Sequence, residues 1–241
     1  MTRRRWIADE VFGHRAALTG THADHLIRVL RARVGQEFDI VAHGVAHLGR
    51  IVAISEGRVE FELGQEISAP ASDRVTILLS IFKFDRMEWA IEKCTELGVA
   101  RIVPVVARRT DAHLASAAVK RVDRWRRIAM QAAEQSRRTC PPEISDPVKL
   151  QDSLQIPKSS RIVLAETETH STLRTTVASN ADKEIVLAIG PEGGWAPTEL
   201  EAFEKQGWAM ASLGPTILRA ETAAIAATAI TMDTLAGEAC L

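Results

Sequence analysis

The sequence predicts an α/β protein in two parts, a small β-rich domain over residues 1–72 and a larger α/β domain over residues 73–241. Three observations carry this. Three short β-rich runs crowd between residues 37 and 63, with glycine turns between them. Beyond residue 74, apolar strand-like runs alternate with helix-patterned stretches, the order that builds a mostly parallel sheet covered by helices on both faces. Between the two parts lies Ser68-Ala-Pro-Ala-Ser-Asp73, small and polar, as a domain boundary is expected to be.

Taken in order, Thr21 to Leu30 reads as a short helix, with Thr21 placed to cap it and Asp24 in its first turn. Glu37–Ala42, Leu48–Ile54 and Arg58–Leu63 read as strands, punctuated by His43-Gly44 and Glu56-Gly57. One helix with these strands fits a small β-barrel. Val75–Ile81 is continuously apolar, as a strand buried on both faces should be. Asp85–Leu97 places Met87, Ala90, Ile91 and Cys94 at helical spacing, and Gly98 ends it. Arg101–Val106 is the next strand, and one long helix is expected from about Ala118 to Arg138, stopped by Pro141-Pro142. Arg161–Ala165, Glu184–Ile189 and Trp208–Leu213 complete the strands. Helical stretches lie between them, such as Pro197–Gln206, with proline in the first turn. An Ala- and Thr-rich helix over about Glu221–Leu235 closes the pattern. No internal repeat interrupts it.

The chain has 241 residues, 46% of them hydrophobic, enough for a real core. No apolar run is long enough to span a bilayer, and no apolar segment follows Arg3-Arg4-Arg5, so neither a membrane span nor a secretory signal is expected. Cys94, Cys140 and Cys240 are too far apart for a disulfide framework or a zinc site, which suits a reduced, cytoplasmic protein. The net charge of −1 hides an uneven distribution. Residues 101–138 hold ten Lys and Arg against three Asp and Glu, whereas residues 139–241 hold seven against fourteen. A basic block of this kind either attracts a polyanion or forms a solvated helix face paired with acids from elsewhere.

The chemistry concentrates at three strand ends after residue 160, where open α/β sheets bind ligands. Strand 184–189 runs into Gly190-Pro-Glu-Gly-Gly194, strand 208–213 into Gly214-Pro-Thr-Ile-Leu-Arg-Ala-Glu-Thr222, and strand 161–165 ends in Ala165-Glu-Thr167. Glycines after a strand let backbone approach a ligand closely. No phosphate-gripping Gly-x-x-x-x-Gly-Lys-Ser/Thr loop is present, and no Gly-x-Gly-x-x-Gly follows the first strand of the second domain. No His/Cys cluster has zinc spacing, and no Ser/His/Asp set stands out among the scattered histidines. What remains is a ligand held mainly by backbone at the late strands.

Gly190-Pro-Glu-Gly-Gly194 with Glu199, followed by Leu213–Ala223, resembles the cofactor signature of the 16S ribosomal RNA (uracil-N3)-methyltransferases of the SPOUT superfamily. Asp24–Arg31, Lys83–Val99 and Arg124–Arg137 resemble the same family, so the likeness runs through the chain in order. Members usually carry Arg where this chain has Thr216. The resemblance implies an N-terminal PUA-like barrel that helps hold RNA, and a SPOUT domain whose last strands and helix form a deep trefoil knot. It implies a homodimer with the active site near the subunit interface, S-adenosylmethionine as cofactor, and 16S rRNA of the small ribosomal subunit as substrate and partner. Neither metal nor membrane is implied.

On this basis the expected cofactor contacts are Ala165, Glu166, Ile189, Gly190, Pro191, Glu192, Gly193, Leu213, Gly214, Ile217, Leu218 and Thr222. RNA contacts are expected at Arg3, Arg4, Arg5, His25, Arg28 and Arg31, and at Arg109, Arg137 and Arg138 of the basic segment. His25 reads as structural rather than catalytic. Methylation at a uracil imide needs the nitrogen aligned with the methyl carbon and its anion favoured, by a base or by positive charge. Arg219 and Glu221 are the catalytic candidates. Arg219 either supplies that charge or pairs with Glu221 or Glu192 to shape the loop. Glu221 is either a base or a first-turn acid favoured by the helix dipole. Trp125, Trp195, Trp208, Met87 and Met130 read as packing residues. Two other functions fit the residues: a SPOUT enzyme acting on transfer RNA, and a non-catalytic RNA-binding protein.

Overall fold

The computed structural model describes residues 5–67, 74–156, 159–182 and 184–238. Arg3, Arg4, the boundary stretch 68–73 and Cys240 lie outside them. The chain divides into two compact units, Met1–Ala71 with Met130–Pro141, and Ser72–Ala129 with Pro142–Leu241. Residues 130–141, assigned to the second domain from sequence, cluster with the first unit.

The first unit carries a six-stranded sheet. Its strands are β1 (Arg5–Ile7), β2 (Glu10–Phe12), β3 (Arg15–Thr19), β4 (Glu37–Ala42), β5 (Val45–Ser55) and β6 (Arg58–Ile67), in spatial order β1-β4-β5-β6-β3-β2. Only β1 and β4 pair in parallel. β5 carries irregularities between His47 and Gly49 and between Ile51 and Ala53, which bend a strand and increase its twist. The core of Trp6, Leu18, Leu26, Ile40, Ile51, Val59 and Phe61 lies against this sheet. The helix expected from Thr21 divides into α1 (Gly20–Asp24) and a π-helical turn, His25–Val29. Thr19, not Thr21, occupies the N-cap, and its side chain makes no capping bond.

The second unit is built on a parallel sheet of β7 (Val75–Ser80), β8 (Arg101–Val106), β9 (Glu143–Ile144), β10 (Val148–Lys149), β11 (Ser159–Leu164), β12 (Glu184–Ile189) and β13 (Ala209–Ala211). The order is β10-β8-β7-β12-β11-β13, with β9 also on β8. Successive residues along these strands face opposite sides of the sheet, as a period of two requires. Val75, Ile77, Leu79, Ile185, Leu187 and Ile189 enter one core, and Leu78, Val186 and Ala188 enter another. The first core takes residues of α2 (Phe84–Glu96), of α6 (Leu173–Ala178) and of α8 (Ala220–Glu238). The second takes residues of α5 (Leu150–Ser153) and α7 (Pro197–Lys205), with Trp195, Phe203 and Trp208 stacked edge to face at 4.9 and 5.0 Å. Two-sided burial explains why these strands read as unbroken apolar runs.

The expected long helix 118–138 is interrupted. α3 (Ala112–Ala118) starts earlier, capped by the Asp111 carboxylate on His113 N–H at 2.7 Å, and a 3₁₀ turn, Val119–Arg121, leads into α4 (Val122–Gln135). α8 packs beside both α2 and α6, and leaves Thr222, Ala229, Asp233 and Ala236 exposed on its other side. Thr228 on α8 donates to Ala224 O at 2.7 Å and lies 3.4 Å from Cys94 Sγ. Burial pushes the Cys94 thiol up to about 12.

Candidate functional site

The carboxyl ends of β11, β12 and β13 open onto a cavity of about 510 Å³ in the second unit. Three segments line it: 164–167, 189–195 and 211–218, joined by Ala220 and Ala223 of α8, by Pro197 and Leu200, and by Arg109. Of the residues expected from sequence to hold the cofactor, Ala165, Glu166, Ile189, Gly190, Pro191, Glu192, Gly193, Leu213, Gly214, Ile217 and Leu218 all meet here. Thr222, in the first turn of α8 and exposed, is not among the lining residues.

Each loop is pinned by hydrogen bonds. Gly194 N–H donates to Pro191 O at 2.8 Å and closes a tight turn at a φ of +67°, a backbone state glycine adopts without cost. Trp195 Nε1–H donates to Leu164 O at 3.1 Å, tying this loop to the end of β11. Gly214, at φ +122°, donates its N–H to Ser212 Oγ at 3.1 Å. Glu199 is buried, and its carboxylate accepts the N–H of Ala196 at 2.8 Å and of Arg108 at 2.7 Å. That bond fixes the turn carrying Arg109. Arg109 Nη1 donates to Gly193 O at 2.6 Å. Sequence assigned Arg109 to RNA and Glu199 to the cofactor signature; the first forms part of the cavity wall and the second braces it from behind.

The charges sort cleanly. Among the described residues lining the cavity, Arg109 is the cation, and Glu166 and Glu192 are the anions. Arg86, on α2, donates to Glu192 Oε1 at 2.9 Å and lies 3.7 Å from Glu221 Oε1. Glu221 is buried, 4% exposed, and its Oε2 has no hydrogen-bond partner. Arg219 does not line the cavity, though its chain neighbours Leu218 and Ala220 do. It is exposed, and the pairing considered for it with Glu221 or Glu192 is occupied by Arg86. Nothing local in the sequence pointed to Arg86 for this role, because its partners lie 106 and 135 residues away (192 − 86 and 221 − 86).

The expected RNA residues fare unevenly. Arg5 is 3% exposed, donates Nη1–H to Arg137 O at 2.5 Å, and lies 3.9 Å from Asp39. Burial lowers its pKa, with Asp39 opposing. Arg138 is 5% exposed, and Arg137 donates to Asp39 Oδ2 at 2.7 Å. Burial takes Arg5 and Arg138 out of the set available to a phosphate. His25 is half-buried with its ring 5.5 Å from that of Trp6. Arg28 and Arg31 remain exposed, Arg28 within 3.5 Å of Asp24. Elsewhere in the basic segment, Arg121 and Arg124 pair with Glu88, and Arg126 with Asp123 and Asp146. The reading as a paired helix face holds for much of the block. Among the described residues, no group of three or more His, Cys, Asp or Glu is placed to hold a metal ion, and no helix is long and apolar enough to cross a membrane.

Residues 69–232 match the profile of the RNA methyltransferase domain family. Ribosomal RNA small subunit methyltransferase E of Rickettsia conorii is 31% identical over 92% of this chain and 91% of its own. This chain belongs to the ribosomal RNA small subunit methyltransferase E family. The protein of the same name from Mycobacterium bovis is 33% identical over 88% of this chain and 84% of its own. A crystal structure of the Neisseria gonorrhoeae protein of that name, bound to S-adenosyl methionine, superposes with a TM-score of 0.84 at 28% identity, covering 96% of this chain and 97% of that one.

Proposed function

We propose that this chain is an S-adenosylmethionine-dependent methyltransferase that methylates N3 of a specific uridine in 16S rRNA of the small ribosomal subunit. The observation that carries this is the cavity at the ends of β11, β12 and β13. Its volume suits a nucleoside-sized ligand. Its residues fit the cofactor's parts. Leu164, Ile189, Leu213, Ile217 and Leu218 offer aliphatic walls to an adenine. Glu166 and Glu192 suit the two positive centres, and Arg109 suits the carboxylate. When bound, the cofactor supplies a methyl carbon already activated on a sulfonium.

The chain's own residues then have three tasks. The pinned loops hold the adenosine end rigidly, so that little ordering remains to be done on binding. Arg219, exposed beside the cavity, favours the imide anion left when N3 gives up its proton to solvent water. Glu221, buried against Arg86, serves as a structural acid in the first turn of α8 rather than as the base. The target uridine must be unpaired or flipped to reach the rim.

The same reading includes a PUA-like N-terminal barrel, a deep trefoil knot in the last strands and α8, a homodimer, and a cytoplasmic location. The strand order supports the knot: β13 pairs with β11 rather than with β12, which precedes it in the chain. The deciding experiment maps N3-methyluridine in 16S rRNA from cells with and without the gene, alongside calorimetry of S-adenosylmethionine with the purified protein. An unchanged map, or no heat of binding, overturns the proposal.

A further inference from the structure

Arg86 is the third residue of α2, and its guanidinium meets carboxylates from two other segments. Glu192 belongs to the loop after β12 and lines the cavity. Glu221 is the second residue of α8, just after the loop that follows β13. The Glu221 side chain is 5% exposed, against 36% for Glu192, and one of its oxygens has neither solvent nor a hydrogen-bond partner. A buried carboxylate in that condition depends on its one counter-charge. Two carboxylates near one another would also repel without a cation between them.

We infer that Arg86 is a positioning residue of the cofactor site, a strut that joins the 190–194 loop to the head of α8 before any ligand arrives. The inference rests on the reading that this cavity takes S-adenosylmethionine. Arginine suits the task because its planar fork presents several N–H groups in fixed directions, whereas lysine offers a single mobile point charge. The strut has a second effect. By satisfying Glu221, it leaves Arg219, two residues earlier and exposed, without an acid to pair with at that helix start. Removing Arg86 strands Glu221, loosens Glu192, and offers Arg219 a carboxylate that quenches its charge.

The test is calorimetric titration of S-adenosylmethionine into the full-length wild type and into Arg86→Ala, Arg86→Lys, Glu192→Gln, Glu221→Gln and the double variants. Arg86→Ala is expected to weaken binding about tenfold or more, with Arg86→Lys intermediate. Adding Glu192→Gln to Arg86→Ala should cost less than Glu192→Gln costs in the wild type, the less-than-additive coupling that marks residues acting together. Adding Glu221→Gln should restore melting temperature and part of the affinity, because it removes the stranded charge. A residue needed only for general stability would show additive losses and no rescue. Wild-type affinity in Arg86→Ala, or strictly additive losses, overturns the inference. If Arg86→Ala does not fold, Arg86→Lys with Glu192→Gln carries the same cycle. Absence of binding by the wild type would overturn the cavity reading itself. Tight binding by both wild type and Arg86→Ala would overturn the strut alone.

Discussion

In the first unit, a cluster of arginines serves the fold. Arg5 and Arg138 are buried, Arg5 and Arg137 share Asp39, and His22 sits between Asp9 at 3.3 Å and Glu134 at 3.6 Å. At the cavity rim of the second unit, one arginine, Arg86, takes up the nearby acids and another, Arg219, stays exposed. Both regions are rich in charge. What separates them is whether the charge already has its partner, since a cation left solvated beside a cavity costs little to keep and is available to a ligand, whereas a buried one is committed.

The sharpest way to break this contrast is Arg219→Ala. Under saturating cofactor and RNA, turnover is expected to fall about 10²–10³-fold, the usual cost of losing one donor at a developing anion. Cofactor affinity and melting temperature should stay close to wild type. Near-normal turnover would remove Arg219 from the chemistry and erase the distinction.

Asp39→Ala probes the other side. It strips the counter-charge from Arg5 and Arg137, and truncating one partner of a buried ion pair costs about 3–5 kcal/mol. Urea unfolding should register that loss, while a refolded or stabilised sample should still bind S-adenosylmethionine normally. A stability change below about 1 kcal/mol, the range of exposed pairs, would make this network ornamental.

A third measurement asks which arginines in the first unit remain free. Arg28→Gln with Arg31→Gly removes two exposed charges, and glycine is at ease at the φ of +51° that Arg31 adopts. Each lost phosphate contact should flatten the salt dependence of rRNA binding by about 0.7–0.9 in log–log slope. An unaltered slope would move the RNA surface elsewhere.

Cys94 and Cys140 sharpen the comparison chemically. Cys94 is buried, with its thiol pushed up to about 12 from an ordinary 9.0, and Cys140 is exposed. Iodoacetamide at neutral pH should label Cys140 and spare Cys94 until the protein unfolds. The raised value also gives a sign. The unfolded chain releases this proton more readily, so the thiol's contribution is complete below pH 9 and is lost as pH climbs toward 12. Cys94→Ala should remove that part of the alkaline slope. Equal labelling of both cysteines in the native protein would contradict the burial.

The smallest effect belongs to Glu168. Its carboxylate accepts N–H bonds from Ser171 at 2.9 Å and His170 at 2.6 Å, which lower its pKa. The stabilisation is present above the ordinary carboxylate range and fades as pH falls through the lowered value. Because the group is exposed, Glu168→Gln should lower the melting temperature only slightly at pH 7 and not at all in acid.

Local signals carried far. The strand-end glycines at 190–194 and 214 marked the cavity because close backbone approach leaves a trace in the residues themselves. Strands 101–106 and 184–189 were bounded to the residue because apolar β runs end where polar turns begin. Pairing did not show. Arg86 reaches Glu192 across 106 residues and Arg109 reaches Gly193 across 84, and no window along the chain holds both ends. The basic segment stayed open between two readings for the same reason, since composition counts charges and not their neighbours. The break at Val119–Arg121 was also unmarked, with no glycine or proline to announce the tighter turn.

The chain's route through its two units has a consequence for its manufacture. Residues 130–141 return to the first unit after the chain has already entered the second. Arg137 and Glu134, which complete the network around Asp39 and His22, therefore emerge from the ribosome long after their partners. A fragment cut at residue 72 would carry Asp39, Arg5 and His22 without the contacts that Arg137 and Glu134 supply. The N-terminal part is thus not a detachable module to be grafted onto another enzyme, and its completion during synthesis must wait for the middle of the message.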